Sequence, residues 1–138
     1  MVTDLWRPQL DRTALNALSA LALAHTGDAV YELLVRTWLI TSGRATNGSL
    51  HRATVRYVSA PAQAEAAAFL LPQLDEEEAA AYRRGRNAHV RAVPKNATHE
   101  QYSRATGLEA LFGYLYLSGR RERTLALFSA LTEELYAI

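Results

Sequence analysis

Residues 21–40, LALAHTGDAVYELLVRTWLI, constrain this chain more than any other stretch. At helical spacing nearly every position is apolar, with Leu21, Ala24, Val30, Leu33, Leu34, Trp38 and Leu39 available to a core. One carboxylate, Asp28, interrupts the run directly after Gly27, and Glu32 follows one turn later. A second segment, EQYSRATGLEALFGYLYLSG at 100–119, repeats the design with a single internal acid, Glu109, bracketed by Gly107 and Gly113. Glycine inside a helix costs about 1 kcal/mol relative to alanine, so a sequence that keeps it there needs close packing at that point. The spacing therefore predicts two helices that cross at their glycines and bring two carboxylates together.

Two anions in one partly buried site repel, and one of them stays protonated. A divalent cation removes the conflict. Magnesium suits such a pair, because it accepts one or two protein carboxylates and keeps several waters. The alternative is an ordinary ion pair for each acid, with Arg36 or Arg104 as partner.

The rest of the chain also reads as helical, and no strand-period alternation or internal repeat appears. A long helix is expected from near Asn16 or Ser19 to about Ile40, and TSGRATNG stops it. A short helix carries Arg52 and Arg56 one turn apart. Ser59 and Pro61 open another helix, which Pro72 ends. Asp75 caps the next, and Glu76, Glu77 and Glu78 fill its first turn, where the helix dipole favours anions; this acidic run is expected to be a solvated helix start. A last amphipathic helix runs from roughly Glu122 to Tyr136. The class is all-α, expected as a single domain over residues 1–138.

Composition narrows the chemistry. The chain has 138 residues, 49% of them apolar, and a net charge of +1. It has no cysteine, which excludes disulfides and thiolate chemistry. The first residues lack the basic-then-apolar pattern of a secretory signal. No stretch of about 20 residues is free of charge, so no membrane span is expected and a cytoplasmic location is the default. Of the 15 basic residues only Lys95 is a lysine. This excess of arginine fits a GC-rich genome, and it also fits the forked guanidinium that suits phosphate.

The basic residues concentrate in RRGRNAHVRAVPKNAT at 83–98, which holds Arg83, Arg84, Arg86, Arg91 and Lys95 and no acid. Its glycine, proline and asparagines predict a loop. A basic segment beside a magnesium site fits phosphodiester chemistry, although a plain solvated basic face has the same composition. The scarcity of aromatics in it favours tracking of backbone phosphate over stacking on unpaired bases, hence a duplex. Arg84, Arg86, Arg91 and Lys95 are the first candidates for phosphate contact, and Arg52 and Arg56 the next. Asn87 and Asn96 are candidates for the same surface or for holding the loop in place.

GDAVYE at 27–32 resembles the signature helix of the ribonuclease III family, and LEALFGYLYL at 108–117 resembles that family's second catalytic helix. RGRNA at 84–88, PKN at 94–96 and VSAPAQA at 58–64 resemble its smaller branch, Mini-ribonuclease III. The resemblance implies a helical endonuclease domain, a homodimer and magnesium-dependent cleavage of double-stranded RNA, with Asp28 and Glu109 as catalytic metal ligands. It further implies maturation of the paired stem of the 23S ribosomal RNA precursor, in contact with pre-ribosomal particles. Where larger relatives carry further acids, this chain has Leu21, Ala24 and Thr106. After the last helix no room remains for a separate RNA-binding domain, so the catalytic domain is expected to bind the duplex itself. Tyr31, Val35, Leu39, Phe112 and Tyr116 are candidates for core or dimer surface, and His25 for a surface or rim position. A non-catalytic RNA-binding or ribosome-associated module on the same fold is the rival function. Loss of one acid would mark such a module, and this chain keeps both.

Overall fold

A computed structural model describes residues 4–88 and 95–137. Among them every regular element is helical and no strand occurs, as the all-α expectation has it. The α-helices are α1 (Arg12–Ala17), α2 (Ala20–Thr41), α3 (Leu50–Val58), α4 (Ala60–Leu70), α5 (Glu76–Arg86), α6 (His99–Leu117) and α7 (Arg121–Ala130); α7 continues into a π-helical turn, Leu131–Leu135. Helix α6 lies at the centre, with α2, α4 and α5 packed around it.

Local chemistry explains the boundaries. The Ser19 hydroxyl accepts the Ala22 N–H and starts α2. A reciprocal box between Thr98 and Gln101 starts α6. Helix α1, which sequence spacing does not separate from α2, begins at Asp11, whose carboxylate caps the Ala14 N–H at 2.8 Å.

Helix α2 buries Leu23, Ala24, Gly27, Tyr31, Val35 and Leu39, a strip that recurs every four residues. Leu21 and Leu33 lie off that strip and are exposed, contrary to their expected place in the core. Tyr31, Val35, Leu39 and Phe112 are core residues, whereas Tyr116 is only half-buried. Tyr31 anchors the centre, edge-on to Phe112 at 5.1 Å and to Phe128 at 5.7 Å between ring centroids.

Two expectations are corrected. Arg83, Arg84 and Arg86 belong to the last turn of α5 and not to a loop. Gly85, read from sequence as a breaker, is a close-packing residue: a methyl group there would stand 2.6 Å from the Ala110 Cβ, against α6. Cations in a last turn also complement the helix dipole.

The acidic run is capped as expected, and Asp75 and Glu76 are exposed as a solvated start should be, but Glu78 is not. Glu78 is 0% exposed. It accepts the Asp75 N–H at 2.9 Å, Arg123 Nε at 2.7 Å and Arg123 Nη2 at 2.9 Å. Burial pushes its carboxyl up, but the Arg123 hydrogen bond, the Asp75 backbone bond and the neighbouring arginine charges outweigh burial and hold it below the usual carboxylate range. Glu77 gathers Arg12 and Arg120, each at 2.5 Å, and the Tyr114 hydroxyl at 2.7 Å. These acids tie α5 to α7 and to the start of the chain.

Arg123→Ala leaves the Glu78 charge buried and unpaired. It is expected to cost about 3 kcal/mol, the low end for a broken buried pair, because the Arg123 side chain is 37% exposed. A folded-state value below the unfolded one stabilises above the unfolded value and loses that effect as pH falls through the folded one. Urea unfolding should therefore show the deficit of Arg123→Ala in full at neutral pH and shrinking in acid.

Candidate active site at the crossing of two helices

Helices α2 and α6 cross in backbone contact. A methyl group on Gly27 would overlap the Glu109 carbonyl and stand 2.7 Å from the Gly113 nitrogen. A methyl group on Gly113 would overlap the Leu23 carbonyl in turn. Leu23, Ala24 and Ala110 fill the space beside the crossing. Gly107 serves a different crossing: a methyl group there would meet the Tyr82 ring at 2.7 Å, so this glycine seats α5.

The crossing fixes both acids. Asp28 is one residue beyond the buried Gly27, which turns it out of the strip to an exposed rim position. Glu109 breaks an otherwise buried run over residues 105–113 and is half-buried. Burial, the Asp28 charge and a hydrogen bond with Asp28 push the Glu109 carboxyl up to about 8; a hydrogen bond with Gln63 of α4 works the other way. The two carboxylates thus share one site, and near neutral pH the proton on Glu109 relieves their repulsion.

The ion-pair alternative fails on geometry. Arg36 pairs with Glu32 at 2.6 Å and Arg104 with Glu100 at 2.8 Å. Among the described residues no arginine, lysine or histidine pairs with Asp28 or Glu109. Nor do three or more His, Asp or Glu gather into a cage there. Ala24 is buried, Leu21 is exposed, and the Thr106 hydroxyl donates to the Tyr102 carbonyl at 3.0 Å. Two carboxylates without a cationic partner, one of them open to solvent, fit a divalent ion that keeps most of its waters.

The basic candidates stand on different elements and differ in their engagement. Arg84 is engaged: its Nη2 donates to the Leu18 carbonyl at 2.6 Å and holds the junction of α1 and α2. Arg86 and Asn87 are exposed at the end of α5, which Asn87 closes through its backbone N–H. Lys95 and Asn96 are exposed in the turn before α6. Arg91 lies outside the described residues. Arg52 and Arg56 are exposed on α3, and Arg56 lines an open groove with Ser59, Gln101 and Arg104. His25 is exposed beside an apolar groove formed with Trp6, Leu33 and Tyr116. Sequence reasoning passed over Gln63, although a lone amide at the 63, 66, 67, 70 spacing of an alanine-rich helix marks a polar side chain turned inward.

Residues 21–120 match the family model described as the ribonuclease III domain. The chain belongs to the ribonuclease III family. Proteins named Mini-ribonuclease 3 are similar over most of its length. That of Symbiobacterium thermophilum is 48% identical over 106 residues, covering 77% of this chain and 82% of the relative. That of Brevibacillus brevis is 49% identical over 108 residues, covering 78% and 81%. The crystal structure of a protein from Fusobacterium nucleatum superposes with a TM-score of 0.78 at 28% identity, over 86% of this chain and 95% of that one. The chain is an endoribonuclease, and its family acts on double-stranded RNA, is generally dimeric and generally depends on divalent metal. No helix among the described residues is long and apolar enough to cross a membrane.

Gly27→Ala forces α2 and α6 apart at the point that sets the two acids. It is expected to cost at least the ~1–3 kcal/mol of an overpacked core and to abolish cleavage. Gly48→Ala, with nothing within 4 Å of the added methyl, is the neutral control. Thermal melting and a cleavage assay on both variants check this.

Proposed function

We propose that Asp28 and Glu109 together hold magnesium and that the chain uses it to cut double-stranded RNA. The observation that carries this reading is the pair itself: two carboxylates brought together by backbone contact, one with its proton affinity raised to about 8 and neither with a cationic partner among the described residues. Asp28 presents an oxygen from the exposed rim, and Glu109 supplies a second from the wall of the site once its proton has left. When bound, magnesium supplies positive charge and an activated water at the scissile phosphate. Both acids stand on long helices, so their geometry is set before substrate arrives.

The duplex is held by its phosphates. Arg86, Asn87, Lys95 and Asn96 form one contact surface, Arg52 and Arg56 on α3 form another, and Arg91 is a further phosphate candidate from the sequence. Arg84 supports the first surface from behind through its bond to Leu18. A-form RNA offers shape and backbone more readily than base edges, so such contacts select a duplex and not a sequence. The exposed strip of Trp6, Leu33 and Tyr116, with Trp6 76% and Leu33 52% exposed, is the face we assign to a second copy of the chain. The substrate assigned is the paired stem of the 23S ribosomal RNA precursor, in the cytoplasm, presented on pre-ribosomal particles. A domain with few phosphate contacts gains selectivity from where its substrate is displayed.

Asp28→Asn and Glu109→Gln are each expected to abolish magnesium-dependent cutting while duplex binding and folding survive, since the first removes an exposed charge and the second replaces a carboxyl whose proton affinity is already raised without the metal. Cleavage of a generic RNA duplex, gel-shift binding and thermal melting read the three properties. In a strain lacking the protein, mapped 23S ends should carry extensions that the wild-type chain removes and the Asp28→Asn form does not. Wild-type cutting by either variant would disprove the site, and mature 23S ends in the deletion strain would disprove the substrate. Neutralising Arg86 and Lys95 together should weaken binding about equally across duplex sequences. It should also flatten the log–log salt dependence by roughly one to two units; an unchanged slope would place the RNA surface elsewhere.

A further inference from the structure

Gln63 is the one buried polar side chain of α4. Its residue is 2% exposed and lies among Ala64, Ala66, Ala67 and Leu70. An apolar side chain would need no hydrogen-bond partner in that setting. Instead the chain buries an amide whose Oε1 has no partner among the described residues. An amide oxygen left unpaired away from water is costly, and native structures keep few of them. The backbone that carries it is also well anchored. Pro61 stands at the start of α4, and the Gln63 N–H closes the first helical turn onto the Ser59 carbonyl at 2.9 Å. Helix α4 packs on α6, and Gln63 is the α4 side chain close enough to Glu109 to influence its carboxyl.

We propose that Gln63 is a positioning residue of the endonuclease site, its amide orienting the Glu109 carboxylate toward Asp28 for the cation they share. An amide has two hydrogens to give and an oxygen to receive. A hydrogen given to Glu109 fixes the direction in which its carboxylate oxygens point, and the burial of Gln63 in α4 holds the donor in place. The orphaned oxygen is then an acceptor beside the carboxylate, complementary to the donors that a hydrated divalent ion carries. A carboxylate that ligates a metal is itself held by hydrogen bonds, and the loss of such a partner commonly costs about 10–100-fold in metal affinity or activity. With only two acids in the site, the orientation of each carries more of the affinity. The inference rests on the reading of Asp28 and Glu109 as cation ligands.

The test uses Mn2+ as probe, with binding followed by electron paramagnetic resonance on the full chain without RNA. Gln63→Leu and Gln63→Met replace the amide by apolar groups of similar size. Each is expected to weaken Mn2+ binding about tenfold or more. Each should lower kcat at saturating magnesium by a similar factor, leave KM for the duplex unchanged, and melt in EDTA at or above the wild-type temperature. Wild-type Mn2+ affinity in both variants overturns the proposal. So does a loss of affinity that appears only with a lower melting temperature in EDTA, because a merely structural amide behaves that way. Asp28→Asn, measured alongside, separates the two inferences. If it binds Mn2+ like the wild type, the metal site itself is misassigned. If it loses binding while the Gln63 variants keep it, only the role of Gln63 falls.

Discussion

Backbone contact between α2 and α6 governs the arrangement of everything else in this fold. At Gly27 and Gly113 neither helix has room for a single methyl group. Helices in such contact cannot slide or rotate without collision, so every residue near the crossing has a fixed address. One turn beyond it, Tyr31 meets Phe112 and builds the core. Beside it, Ala24 and Ala110 keep the gap narrow. On another face of α6, Gly85 and Gly107 bring α5 close as well. The central helix is clamped twice, and the cost of four helical glycines is offset by the packing they permit.

The acids of this chain divide by their company. Glu77 and Glu78 sit in a ring of arginines and a tyrosine, and their charges stabilise the fold. Asp28 and Glu109 stand together without such partners among the described residues, and their mutual repulsion works against the fold in proportion to their ionisation. A structural need for negative charge is met by the first arrangement. The second is a destabilising feature that makes sense at a site where a cation arrives, and perturbed carboxylates of this kind cluster at functional sites. The same contrast applies among the arginines, since Arg84 and Arg123 are spent on interior bonds while Arg52, Arg56 and Arg86 remain exposed.

Much of this was legible in the chain of letters. The helical class, the interruptions at TSGRATNG and Pro72, and the cap at Asp75 follow from local rules of spacing and hydrogen bonding. So does the pairing of Asp28 with Glu109, because a glycine in an apolar helix marks a close crossing, and the acid next to it is carried to that crossing. Local rules misread Gly85, since a glycine that ends a helix and one that admits a neighbouring helix look the same in sequence. They misread Glu78 for a related reason: an acid at a helix start satisfies the dipole wherever it lies, and only the position of α7 decides that Arg123 buries it.

Most of the helices, the cap at Asp75, the two acid-bearing segments and the family to which they belong were thus specified along the chain. Each of these is written in contacts between residues a few positions apart, or in a motif read in order. Only packing settled which cations were already engaged, that Tyr31 and Phe112 are core while Tyr116 borders an open groove, and that a buried glutamine from α4 faces Glu109. Those outcomes depend on which faces of distant helices meet. That choice is made by steric fit at Gly27, Gly113, Gly85 and Gly107, where the absence of a side chain carries no pattern of its own until the helices are packed.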